Sequence, residues 1–343
     1  MPSHNNLAII AAAGSRKTEY IIDQALAMVD KKVLITTYTN ENQRQIIERI
    51  EAKNNGRMPS HVTVLGWFTF LVNECARPYQ NAITLEPGYM KSLNFIGERF
   101  RLTSKSSLKY FFDGNRDIFR NGVSDFACDV DRATDGKVIA RLELIWDHVF
   151  IDEVQDLVGF DLDLLDRLFD SVIGITLVGD PRQYMVPTNT ASKNKKYKKE
   201  GLLKWFEERK TKVTVESRVQ SHRCNQTICD FADALFPNMP ATESLNSEVT
   251  GHDGIFIISR AEISAYVATY KPTILRENKN SDTEGLPAIN IGVSKGSTYD
   301  RVLIFPAGTV IQYYKNRNLE NFKSRERLYV AATRARFSTT FVE

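Results

Sequence analysis

Short apolar runs alternate with helix-period segments along most of this chain. Residues 7–10, 33–36, 62–65, 149–151 and 175–178 read as buried strands. Between them lie amphipathic helices. One starts at Thr18 and carries Ile21, Ile22, Ala25, Leu26 and Val29 on one face. A second covers residues 43–52 with Ile46, Ile47 and Ile50, and a third runs through Leu162, Leu165, Leu168 and Phe169. Strands that alternate with helices build parallel sheets with helices on both faces, because only a crossover can bring the chain back parallel. A second α/β unit follows, with strands at 254–258, 272–275, 290–293 and 302–305. The stretch from Ala76 to Trp146 differs in texture, with helical fragments such as residues 109–120, and reads as an insertion.

The chain has 343 residues, a length that suits about two domains of ~150 residues. The expected division is 1–75 with 147–212, an inserted 76–146, and 213–343. Lys and Arg number 45 against 42 Asp and Glu, a net charge of +3, so any basic surface has to be local. Cys75, Cys128, Cys224 and Cys229 form neither a CxxC nor a zinc pattern. The opening MPSHNN lacks a basic targeting segment, and no apolar run approaches the ~20 residues of a membrane span. A cytoplasmic protein with no membrane partner is expected.

Two motifs carry chemistry. Residues 11–18, AAAGSRKT, lie between a strand and a helix, where GxxxxGK[ST] loops cradle phosphates with backbone N–H groups. Ala13, Gly14, Ser15, Arg16, Lys17 and Thr18 would hold the nucleotide. Lys17 supplies positive charge to the phosphates, and the Thr18 hydroxyl coordinates Mg2+. Ala11 and Arg16 stand where the template has glycines. If position 16 needs a positive φ, arginine is strained there; alternatively its guanidinium adds a phosphate donor. Residues 149–156, VFIDEVQD, end a strand in two acids. Asp152 suits the metal, and Glu153 suits the base that polarises water.

The DExQD form of this second motif resembles the UvrD/Rep-type branch of superfamily 1 DNA helicases, in a compact form without the large accessory domain. Further motifs of that family follow in order. Residues 37–50, TYTNENQRQIIERI, resemble its TFTN motif, and 64–71, VLGWFTFL, its second DNA-contacting motif. Residues 177–183, LVGDPRQ, match GDxxQ. Residues 216–230 resemble the NYRS motif, 293–305, VSKGSTYDRVLIF, the HSAKGLEFD motif, and 328–336, LYVAATRAR, LYVAxTRA. The resemblance implies two RecA-like P-loop NTPase domains, each with a parallel sheet flanked by helices, plus a small helical insertion in the first. It implies ATP hydrolysed between them, with Gln183 sensing the γ-phosphate and Arg223 and Arg334 stabilising its transfer. It implies single-stranded DNA as partner and movement 3′→5′.

The chain also departs from that family. The phosphate loop begins at Ala11, leaving no room for the usual adenine-recognition motif. Thr298 replaces a glutamate, YMVPTNT follows GDPRQ, and the interval from Phe236 to Asn290 is too short for an accessory domain. On the DNA side, the resemblance places contacts at Thr37, Thr39, Asn40 and Lys295. Trp67, Phe68 and Tyr184 are candidate stacking rings. The basic run SKNKKYKKEG, residues 192–201, reads as a phosphate clamp aided by Tyr197, or as a solvated loop. Two functions are expected from this reading. One is an ATP-driven helicase or translocase. The alternative is a nucleotide- and DNA-binding switch that serves a nuclease partner in DNA repair or anti-phage defence.

Overall fold

The computed structural model describes residues 6–306, 308–316, 318–319, 322 and 325–343. It divides into two compact units. The first holds the chain up to Ile10, Lys17–Gly179 and Val186–Glu216; the second holds Ala11–Arg16, Asp180–Met185 and Ser217–Glu343. The fold class is α/β, with parallel sheets flanked by helices, as the alternation requires.

The first sheet has six strands: β1 Leu7–Ala11, β2 Val33–Thr37, β3 Val62–Gly66, β4 His148–Ile151, β5 Gly174–Gly179 and β6 Thr214–Arg218. Their order is β3-β2-β4-β5-β1-β6. The β1–β5, β2–β3, β2–β4 and β4–β5 pairs are parallel. Strands β2 and β4 are buried at every position, so they read as unbroken apolar runs rather than alternating ones. Helix Lys17–Ala27 buries Ile21, Ile22 and Ala25 but ends before Val29, which is 65% exposed and not part of the expected face. Helix Asn40–Lys53 buries Ile46 and Ile50. Helix Phe160–Phe169 buries Leu162, Leu165, Leu168 and Phe169.

The insertion corrects one expectation. Residues 109–120 are not a helix: a turn at Leu108–Tyr110 leads to the two-residue strand Ile118–Phe119. The longest helices of the insertion among the described residues are Val123–Ala133 and Lys137–Ile145. Phe126 draws the irregular segment onto the first of them through edge contacts to Phe111 and Phe112, with ring centroids 5.1 and 5.2 Å apart. Apolar packing outweighs local helix preference here.

The second sheet runs β7 Gly254–Ile258, β8 Thr273–Arg276, β9 Ile289–Asn290, β10 Tyr299–Phe305 and β11 Ala335–Val342, in the order β7-β11-β10-β8-β9. Every pair is parallel. Strand β9 stops at Asn290, because the chain turns through 291–296 instead of extending to 293. Strand β11 lies inside the sheet and was not apparent as a strand in the sequence. Among the described residues no helix is long and apolar enough to cross a membrane. All four cysteines are free and buried.

Candidate nucleotide site

In the first unit, strand β4 delivers Asp152 and Glu153 and helix Lys17–Ala27 delivers Lys17 and Thr18. The β2–β4 ladder runs one step further, with Asp152 N–H donating to Thr36 O at 2.8 Å. Thr18 Oγ1 donates to Asp152 Oδ2 at 2.9 Å. Lys17, Asp152 and Glu153 are all buried. Burial pushes the Asp152 carboxyl up to about 6, and the Glu153 charge adds to the rise. Lys17 and the Thr18 hydrogen bond pull it back. A buried acid held this way wants positive charge. Glu153 has a left-handed backbone, φ +58°, and its carboxylate accepts from Gln155 Nε2. The hydroxyl and carboxylate oxygens of Thr18 and Asp152 are donors of the kind that Mg2+ prefers, so these residues fit that ion.

The second unit carries the turn of the phosphate loop. Gly14 has φ +79°, and a Cβ there would stand 2.6 Å from both Arg223 Cβ and Ser221 Oγ. Glycine is therefore required at position 14 by conformation and by space together. The loop is fastened by Ala12 N–H donating to Arg218 O at 2.9 Å and His222 N–H donating to Gly14 O at 2.9 Å. Arg16 has φ +59°, so arginine occupies the left-handed position where the template has glycine. Its side chain is exposed. Ser15 Oγ is buried and meets no hydrogen-bond partner among the described residues. Ser15, Arg218, Gln220 and His222 line a cavity of about 360 Å³.

Gln183 and Arg334 come together in this unit. Arg334 is 1% exposed. It donates from Nε to Val330 O at 3.0 Å, from Nη1 to Ser297 O at 3.3 Å and from Nη2 to Gln183 Oε1 at 3.4 Å. Gln183 Nε2 donates to Asp180 Oδ2 at 3.1 Å. Arg223 is half-buried and donates from Nη1 to Thr333 O at 3.1 Å.

Several nucleic-acid assignments are corrected by burial. Trp67 is 1% exposed and donates from Nε1 to Asp161 Oδ1 at 3.0 Å, so its ring faces the core and offers nothing to a base. Thr37 is 1% exposed, and its hydroxyl finds no partner among the described residues; it does not present to a phosphate. Lys295 is buried in the turn before β10. Thr39 caps helix Asn40–Lys53, its side chain accepting from Asn42 N–H. Asn40, by contrast, is exposed, and Tyr184 is half-buried. Phe68 is also half-buried, with edge contacts to Tyr38 at 5.8 Å and Phe95 at 5.6 Å. Phe95, 60% exposed, is a further ring beside Phe68, in an irregular segment that no periodicity marks. In the basic run Lys193 pairs with Asp163 at 3.1 Å and Lys196 with Glu208 at 3.8 Å. Tyr197 is buried with its hydroxyl on Glu208, which rules out its stacking role.

A family model for the viral superfamily 1 RNA helicase core domain matches residues 144–343. That is more than half of the chain, and the chain belongs to this family, within helicase superfamily 1. Among solved structures, it is similar to the Arterivirus nonstructural protein 10 helicase, at 14% identity and a TM-score of 0.50, over 98% of this chain and 59% of that one. The same helicase in complex with DNA gives 14%, a TM-score of 0.48, and 98% and 61%. The chain thus spans about three fifths of those structures, and at this identity the likeness is one of fold. No curated protein matches.

Proposed function

We propose that the chain is an ATP-driven translocase or helicase on single-stranded DNA, moving 3′→5′, of the UvrD/Rep-like kind and working in the cytoplasm. The observation that carries this reading is the contact of Thr18 with Asp152 beside buried Lys17. Lysine charge, hydroxyl and carboxylate stand together where phosphate chemistry needs them. Thr18 and Asp152 would hold Mg2+, which when bound neutralises phosphate charge. Lys17 neutralises the same phosphates, and the loop of residues 13–16 wraps them. Glu153 polarises the attacking water. Gln183 and Arg334, already bonded to each other, read the γ-phosphate; with Arg223, Arg334 stabilises charge in transfer, a role worth ~10³-fold or more in such enzymes. Asn40, Phe68, Phe95 and Tyr184 serve the strand. The proposed domain division is 1–75 with 147–212, 76–146, and 213–343.

The test is ATP hydrolysis with and without single-stranded DNA, and with single-stranded RNA in parallel. Wild type should be stimulated by DNA. Lys17→Ala should lose turnover, whereas Glu153→Gln should bind ATP without hydrolysing it. Wild-type turnover in Lys17→Ala would overturn the site. Stronger stimulation by RNA would change the strand.

A second reading, a nucleotide-dependent switch beside a nuclease in DNA repair or anti-phage defence, is favoured by the strained Arg16 in the loop. DNA-stimulated turnover without unwinding of a tailed duplex would select it.

A further inference from the structure

Tyr329 lies in helix Arg325–Ala332 and is 1% exposed, yet its hydroxyl sits at the centre of a polar chain. Ala13 N–H donates to it at 3.3 Å, and it donates to Asp180 Oδ2 at 3.0 Å. The same Oδ2 accepts from Gln183 Nε2, while Gln183 Oε1 accepts from Arg334. Asp180 Oδ1 is taken by Arg182 Nε at 2.8 Å. One hydroxyl therefore joins an amide of the phosphate loop to the pair that reads the γ-phosphate. All of these residues belong to the second unit.

The ring has separate support. It packs edge-on against Phe236 at 5.6 Å, and the Arg182 guanidinium lies 5.0 Å over it. Phenylalanine would fill the same space. Burying a hydroxyl is unfavourable unless it is bonded, so packing alone gives no reason for tyrosine here. Its two hydrogen bonds do. They fix which way Gln183 presents its amide, because Asp180 is held on one side by Tyr329 and on the other by Arg182.

We propose that Tyr329 is a positioning residue for phosphoryl transfer: its hydroxyl sets the Ala13 amide and, through Asp180, the orientation of Gln183. The proposal rests on the nucleotide-site reading of the loop and Gln183. Without the hydroxyl, Asp180 Oδ2 loses one of its donors, the carboxylate that orients the Gln183 amide loses one of its fixed points, and Ala13 N–H loses its acceptor.

The test is Tyr329→Phe in the full chain. At saturating ATP and single-stranded DNA its kcat should fall tenfold or more while KM for ATP stays within threefold, because the effect falls on orientation rather than on ground-state binding. Without nucleotide, amide hydrogen exchange across residues 11–16 should speed up. The double variant with Gln183→Ala should lose less than the product of the two single losses, since part of the hydroxyl's effect runs through that side chain. A folded Tyr329→Phe with wild-type kcat overturns the proposal, and so does a double variant whose losses multiply. If Tyr329→Phe does not fold, Asp180→Asn cuts the same link from its other end and must reproduce the loss of kcat. A wild-type protein without turnover would instead sink the nucleotide-site reading, and the exchange measurement would still decide the contact.

Discussion

Arg16 is the residue where local cost and possible gain oppose each other. Its φ of +59° is a conformation that costs a non-glycine residue about 1 kcal/mol, and its side chain is exposed. Arg16→Gly should therefore raise stability by about 0.5–1 kcal/mol in thermal unfolding, with ATP affinity within threefold of wild type. A tenfold loss of affinity would make the guanidinium a phosphate donor instead. Trp67 shows the opposite lesson. The aromatic after a strand reads equally as a stacking platform or as core, and the Asp161 partner, 94 residues away in sequence, decides for core. Trp67→Phe should leave single-stranded DNA affinity unchanged and lower stability by about 2 kcal/mol, because it strips a donor from a buried carboxylate. Urea unfolding beside a DNA titration separates the two roles. Neither Arg16's backbone nor Trp67's burial is written in residue type, since both are set by neighbours distant in sequence.

Strand β4 carries the two acids of the site on a buried ladder, and its first residue is titratable. His148 is buried, its Nε2 lies 2.9 Å from Thr176 Oγ1, and a Cβ on Gly174 would stand 2.5 Å from its Nδ1. Burial, with the nearby charge of Lys31 adding to it, lowers its pKa from 6.5 to about 4. The unfolded chain therefore takes up a proton first as pH falls. This contribution to stability is complete above pH 6.5 and is lost between 6.5 and 4, by about 3 kcal/mol in all. Chemical denaturation across that range should show the loss, and His148→Gln should flatten it; an unchanged slope would assign the pH response to other groups. Strand β11 shows why this level of structure is only partly legible. Its ARFSTTFV pattern places Ser338, Thr339 and Thr340 where a buried strand should be apolar. Their hydroxyls are satisfied by partners outside the strand: Arg301 for Ser338, Ala332 O for Thr339 and Tyr266 for Thr340. A hydroxyl with a partner is admitted to the core, and the sequence does not say where the partner is.

At the scale of the whole molecule, near-neutral charge conceals how few cations the basic run has to spare. Lys193 and Lys196 are engaged by acids, whereas Lys195 is exposed and Lys198 half-exposed. Each phosphate neutralised contributes a log–log salt slope of about −0.7 on a single strand. Charge reversal of Lys195 and Lys198 together should weaken strand binding and make the slope shallower by about 1.4, read by fluorescence anisotropy over a salt series. No change in the slope would assign the run to solvated surface.

The sequence by itself determined the α/β class, the strand–loop–helix around Lys17 and the order of its motifs. These depend on periodicity and on residue types close together in the chain, where chain connectivity already fixes the geometry. Only the tertiary structure decided that Trp67, Thr37, Lys295 and Tyr197 are buried. Only it placed Tyr329, Asp180, Gln183 and Arg334 in one chain of hydrogen bonds. Burial and hydrogen-bond partnership depend on neighbours in space, and the links from Tyr329 to Asp180 and from Arg334 to Gln183 join residues 149 and 151 apart in sequence.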